Sequence, residues 1–144
     1  MVTDATSGPE ADSVRNQVLV IDDEPLIRWS VRETLRHHGY TVVEAGDARA
    51  AIRAASDAGA PFGIVVLDVR LPDSDDLTLL TNLRRLMSDA RIILMTAHGT
   101  PELERKALAL GAYCVIHKPF GMVELAQIVH HACLGHPSPR ASER

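Results

Sequence analysis

The sequence predicts an α/β fold, an open five-stranded parallel sheet with five helices on both faces. Three observations predict it. Five short apolar runs recur along the chain, four of them dominated by β-branched residues. Three of those runs are continuously apolar instead of alternating, which marks strands covered on both sides and hence a parallel sheet. Each run is followed by a longer segment with helical spacing, and successive right-handed crossovers of that kind build an open sheet.

The elements follow in order. VLVI (18–21) is the first strand. The first helix runs from about Pro25 to His38, with Leu26, Ile27, Val31 and Leu35 on one stripe. Pro25 suits a first helical position, where an N–H would have no partner, and Gly39 closes the helix. TVVEA (41–45) is the second strand, and Asp47 is the expected N-cap of a helix reaching about Ala58. GIVVL (63–67) precedes a helix from about Asp76 to Met87 that turns Leu79, Leu80, Leu83 and Met87 inward. RIILM (91–95) precedes a helix from about Pro101 to Leu110, ended by Gly111. CVIH (114–117) leads into the last helix, about Gly121 to Leu134, which buries Met122, Leu125, Ile128, Val129 and Cys133. Trp29 reads as packing. His37, His38, His130, His131, Arg84 and Arg85 read as solvated helix positions.

Composition narrows the function. A chain of 144 residues suits one domain. Hydrophobic residues make up 46% and aromatics 3%, so the core is aliphatic. A formal net charge of −4 argues against direct nucleic-acid binding, which needs a basic surface to displace counterions. Cys114 and Cys133 lack metal-ligand spacing and read as buried, reduced thiols. No apolar stretch is long enough for a spanning helix, and MVTDATSGPEADS has no signal-peptide core. A cytoplasmic protein with no membrane partner is expected. Residues 1–15 read as a flexible N-terminal arm, 16–134 as the folded domain, and 135–144 as a C-terminal tail or linker stub.

Polar residues fall at strand ends. Asp22 and Asp23 follow the first strand, Asp68 ends the third, Thr96 ends the fourth, and Lys118 follows the fifth. In an open parallel sheet the carboxyl ends share one edge, and ligands bind where the strand order reverses. With the first strand between the second and third, these groups converge in one cleft. Clustered carboxylates need a cation, and hard oxygen donors suit Mg²⁺, which bridges to phosphate oxygens. Lys118 is a point charge for a phosphate oxygen and Thr96 a hydrogen-bond donor to another. Asp68 is then the carboxylate best placed to attack phosphorus and form an acyl phosphate. A dinucleotide site around Glu44 is disfavoured, because no glycine-rich loop follows the first strand.

The stretches VLVIDDEPLIR, VVLDVRLP, IILMTAHG and GAYCVIHKPF resemble the receiver domain of two-component response regulators, over about residues 17 to 134. TAHG and IRWSVRETL are closest in wording to receivers of nitrogen-regulation-type regulators. The resemblance implies a flavodoxin-like receiver fold with strand order 2-1-3-4-5. It implies a phosphoryl group accepted on Asp68 from a histidine kinase or phosphotransfer protein, in a Mg²⁺-dependent reaction that switches partner binding. Asp23 and Asp68 would ligate Mg²⁺ directly, Asp22 largely through water, and the Arg70 backbone carbonyl would complete the protein ligands. Thr96 and Lys118 would bind the phosphoryl oxygens, and Ala97 would leave room for the group. Lys118–Pro119 would be cis. Arg70 and His98 would flank the path of hydrolytic water. The protein would be no enzyme beyond its own phosphorylation and dephosphorylation.

The sequence departs from that pattern in three places. Val115 stands where receivers usually carry Tyr or Phe, and Tyr113 has the opposite side-chain direction. The loop LPDSDD lacks the family's glycines and adds Asp73, Asp75 and Asp76 near the metal. No output domain follows; a stand-alone receiver and a fragment of a longer regulator read alike here, and the sequence does not identify the output partner. The face formed by helix four, strand five and helix five is a candidate surface for a homodimer. The first alternative is a phosphate-independent interaction module with the receiver fold. The second, an aspartate-nucleophile phosphatase, is disfavoured because Arg70 occupies the position of the second acid.

Overall fold

The computed structural model describes residues 16–57, 62–74 and 77–135. The predicted arm, the tail after Gly135, Ala58, Asp75 and Asp76 lie outside the described residues.

Five parallel strands form one sheet in the order β2-β1-β3-β4-β5. They are β1 (Gln17–Ile21), β2 (Thr41–Ala45), β3 (Ile64–Asp68), β4 (Arg91–Thr96) and β5 (Cys114–His117). The helices are α1 (Pro25–His37), α2 (Ala48–Ser56), α3 (Thr78–Leu86), α4 (Pro101–Ala109) and α5 (Met122–Cys133). β3 is buried along its whole length, whereas β2 at the sheet edge alternates exposed and half-buried residues. That difference is why TVVEA carries polar residues and IVVLD carries none until its last position.

Two aliphatic layers cover the sheet. On one face Val31 and Leu35 of α1 meet Leu125, Ile128 and Val129 of α5 over Val18, Val20, Val66 and Ile93. On the other, Ala51 of α2, Leu79, Leu80 and Leu83 of α3 and Ala107 of α4 pack over Leu19, Val65, Leu67 and Leu94. No described helix is long and apolar enough to cross a membrane.

Some details differ from the expectation. Leu26 is 74% exposed, so the inward stripe of α1 is Ile27, Val31 and Leu35 alone. Trp29 is 51% exposed and packs in neither layer. Cys114 is buried, but Cys133 is only half-buried, at the end of α5; neither is in a disulfide. Arg84 is not a solvated surface residue. Its guanidinium donates to the carbonyls of Met87, Ser88, Ala90 and Gly111, closing the end of α3 against the turn before β5. That turn requires Gly111, whose φ is +106°.

Candidate functional site

Each site residue sits where a strand runs out. Asp22 follows β1 and is fully buried, an unusual place for a carboxylate. Its polar atoms are all engaged. Oδ1 accepts from the Glu24 N–H at 2.9 Å, Oδ2 from the Lys118 ammonium at 3.1 Å, and the carbonyl from Arg28 Nη1 at 2.7 Å. Asp68 ends β3 and is 6% exposed. Its Oδ1 accepts from the Arg70 N–H and its Oδ2 from Lys118 Nζ, both at 3.1 Å. Thr96 ends β4, is 4% exposed, and accepts from the His98 N–H through Oγ1 at 3.1 Å. Lys118 follows β5, its N–H donating to the Thr96 carbonyl at 2.7 Å, and the Lys118–Pro119 peptide is cis.

The sheet order converts these separate ends into one cleft. Asp23, Glu24, Asp68, Arg70, Leu71, Pro72, Thr96, Ala97, His98 and Lys118 line a cavity of about 290 Å³. A larger concavity of about 460 Å³ lies between α1 and α5, lined by Thr34, His38, Met122, Val123, Ala126, Gln127 and His130, and no carboxylate enters it.

The electrostatics favour an added cation. Burial, then the charge of Asp22, pushes the Asp68 carboxyl up to about 6, while the Arg70 N–H and Lys118 pull it down. Burial alone would lower the Lys118 ammonium, but Asp22 and Asp68 outweigh it and hold the group above its ordinary value. One ammonium therefore faces several carboxylates at once. Among the described residues, Asp22, Glu24 and Asp68 offer carboxylate oxygens all within 4.8 Å of one another. Hard oxygen donors in excess of their single positive partner fit a divalent cation.

The structure brings together Asp22, Asp68, Thr96 and Lys118. Asp23 is exposed and lines the cavity, outside the tight carboxylate group. Arg70 is exposed on the rim. Glu24 joins Asp22 and Asp68 from the start of α1. It stands at the N-cap position of α1 without a capping side-chain bond, and its Oε1 accepts from Lys118 at 3.3 Å. Its place directly after the acidic pair was the available signal. Asp73, expected to add charge near the metal, turns instead to α2, where its two oxygens accept from the Ala48 and Arg49 N–H groups at 2.8 and 3.1 Å. Arg28 was missed altogether. It ties the Asp22 carbonyl to Glu44 Oε1 of β2, 2.9 Å from its Nε.

Comparison with known proteins agrees with this picture. Residues 18–130 match the family described as "Response regulator receiver domain". The chain is 38% identical over 118 residues to the C4-dicarboxylate transport transcriptional regulatory protein DctD of Pseudomonas aeruginosa, covering 82% of this chain and 25% of that protein. It is 34% identical over 120 residues to the transcriptional regulatory protein FixJ of Bradyrhizobium diazoefficiens, covering 83% of this chain and 58% of FixJ. The chain thus spans between about a quarter and somewhat over half the length of these relatives. The solution structure of the beryllofluoride-activated NtrC4 receiver domain dimer superposes with a TM-score of 0.76 at 31% identity, over 83% of this chain and 98% of that one.

Proposed function

The chain belongs to the response regulator receiver domain family, and from that premise we propose that Asp68 accepts a phosphoryl group from a histidine kinase or phosphotransfer protein. The supporting observation is the Lys118 ammonium held 3.1 Å from both Asp22 and Asp68. A buried cation shared by two carboxylates is poised to pass to an incoming phosphoryl oxygen. Asp68 reacts as the carboxylate, the form that the Arg70 N–H and the Lys118 ammonium favour. Its carboxylate oxygen forms a bond to phosphorus as the bond to the donor imidazole nitrogen breaks. The imidazole keeps the electron pair and later takes a proton from water. Lys118 then pairs with a phosphoryl oxygen, and the Thr96 hydroxyl donates to a second. Asp23, Asp68 and the Arg70 carbonyl, with Asp22 and Glu24 nearby, would hold Mg²⁺, which would supply positive charge to offset that of the transferred group. The acyl phosphate carries about two negative charges where the ionised Asp68 carried one, and adds phosphoryl oxygens near the ends of β3 and β4, enough to bias a two-state switch in partner binding.

The same reading places the protein in the cytoplasm, with an output partner engaged through the α4-β5-α5 face. A homodimer would form through that same face; the similar NtrC4 receiver is a dimer when activated by beryllofluoride. A small-molecule phosphoryl donor with Mg²⁺ tests the trigger. Acid-stable protein label is not expected, whereas hydroxylamine-sensitive label on wild type and none on Asp68→Asn is. Label that persists in Asp68→Asn removes this reading. One observation favours the alternative of a phosphate-independent module: Val115 is 3% exposed and packed in the layer beneath α4, with no aromatic ring at its position. Under that alternative, partner affinity is unchanged by beryllofluoride.

A further inference from the structure

The loop after β4 touches one side chain that neither the cleft nor the core accounts for. His117 is the last residue of β5 and follows Val115 by two, so both start from the same side of the strand. Val115 is buried, whereas the His117 side chain is 43% exposed and reaches across to α4, where its Nε2 lies 2.5 Å from Glu104 Oε2. On its way the ring crosses Gly99. A Cβ on Gly99 would lie 2.4 Å from His117 Cε1, 2.6 Å from Nδ1 and 2.9 Å from Thr96 Cγ2. The imidazole, Gly99 and the Thr96 methyl therefore crowd one small space, which only a residue without Cβ leaves open.

We propose that His117 is the residue through which a change at Thr96 reaches α4, taking the place of the aromatic ring absent at Val115. This inference rests on the reading of Asp68 as phosphoacceptor. The coupling is mechanical. Thr96 Oγ1 accepts from the His98 N–H, so the backbone of residues 97–99 is tied to the threonine side chain. When Thr96 turns toward a phosphoryl group on Asp68, its methyl and Gly99 leave the ring together. The space that holds His117 against Glu104 then opens, and the ring moves into it. The Glu104 contact is one turn inside α4, which begins at Pro101, so its loss or displacement releases the start of that helix.

The test is NMR of the full chain with Mg²⁺, recorded with and without beryllofluoride. In wild type, the His117 ring resonances and the amides of Glu104 and Arg105 shift together with that of Thr96. In His117→Ala, beryllofluoride still shifts Thr96, while the α4 shifts fall to about a fifth or less and phosphoryl incorporation stays within about twofold of wild type. Gly99→Ala supplies an independent arm. The added methyl displaces the ring, and the α4 shifts appear before beryllofluoride is added. Thr96 shifting while His117 stays unmoved overturns this inference and leaves the phosphoacceptor reading intact. Full α4 shifts in His117→Ala also overturn it alone. No beryllofluoride response at Thr96 overturns both.

Discussion

At Lys118 one ammonium is shared between two buried carboxylates, and the balance at each is set by what else is near. Each carboxylate accepts from one backbone N–H, Glu24 for Asp22 and Arg70 for Asp68, and from the shared lysine. Burial and the charge of Asp22 push the Asp68 carboxyl up from 3.8 to about 6. The sign of the stability effect follows from that direction. The folded protein holds its proton more tightly than the unfolded chain, so folding is penalised above about pH 6 and the penalty fades as pH falls toward 4. In metal-free buffer, Asp68→Asn is expected to stabilise the fold at pH 7.5 by on the order of 2 kcal/mol, with little difference at pH 4. Urea unfolding at both pH values measures it. A destabilised Asp68→Asn at pH 7.5 would mean the site is relaxed without a cation.

Two elements reach the cleft indirectly. Glu44 at the end of β2 accepts from Arg28 and Arg32 of α1, the latter at 2.6 Å, so the edge strand, the helix and the Asp22 carbonyl form one tie. Burial works to raise the Glu44 carboxyl, but the two arginines outweigh it and hold it below the usual range. A lowered carboxylate stabilises above its unfolded value and loses that contribution as pH falls through the folded one. Glu44→Gln should therefore cost about 0.5–1 kcal/mol at pH 7 and nothing near pH 3, as thermal melts at the two pH values would record. The second element is the start of α2. Asp47 caps it from within by accepting from the Ala50 N–H at 2.8 Å, and Asp73 caps it from the loop after β3. Removing the loop's contribution with Asp73→Ala should speed hydrogen exchange at Ala48 and Arg49 while leaving Ala50 protected. Unchanged exchange at Ala48 would show that the loop is not held there.

For the whole molecule, one edge of the sheet gathers Asp22, Glu24 and Asp68 around the Lys118 ammonium. A cation that binds the folded form alone stabilises it by mass action, by about 2.7 kcal/mol at a hundredfold excess over its Kd. Mg²⁺ should raise the Tm of wild type and do so much less in Asp23→Asn. Equal shifts in both would take Asp23 out of the metal site, and no shift in either would take the cation out of the function.

The sequence by itself determined the architecture and the chemistry available to it. β-branched runs and helical spacing were local signals, read correctly for all five described strands and helices to within a few residues. Asp22, Asp68, Thr96 and Lys118 were legible because each stands at a strand end, and parallel strands present those ends together. Only the tertiary structure decided the pairings. Lys118 lies 96 positions from Asp22 and 50 from Asp68, and no local pattern specifies which oxygen its ammonium meets. The same holds for Glu24 beside Lys118, Asp73 on α2, Arg28 at the Asp22 carbonyl, Arg84 among carbonyls and His117 across Gly99. These contacts depend on side-chain direction and on the separation between layers, which are set by packing after the strands are ordered, not by the spacing of residues along the chain.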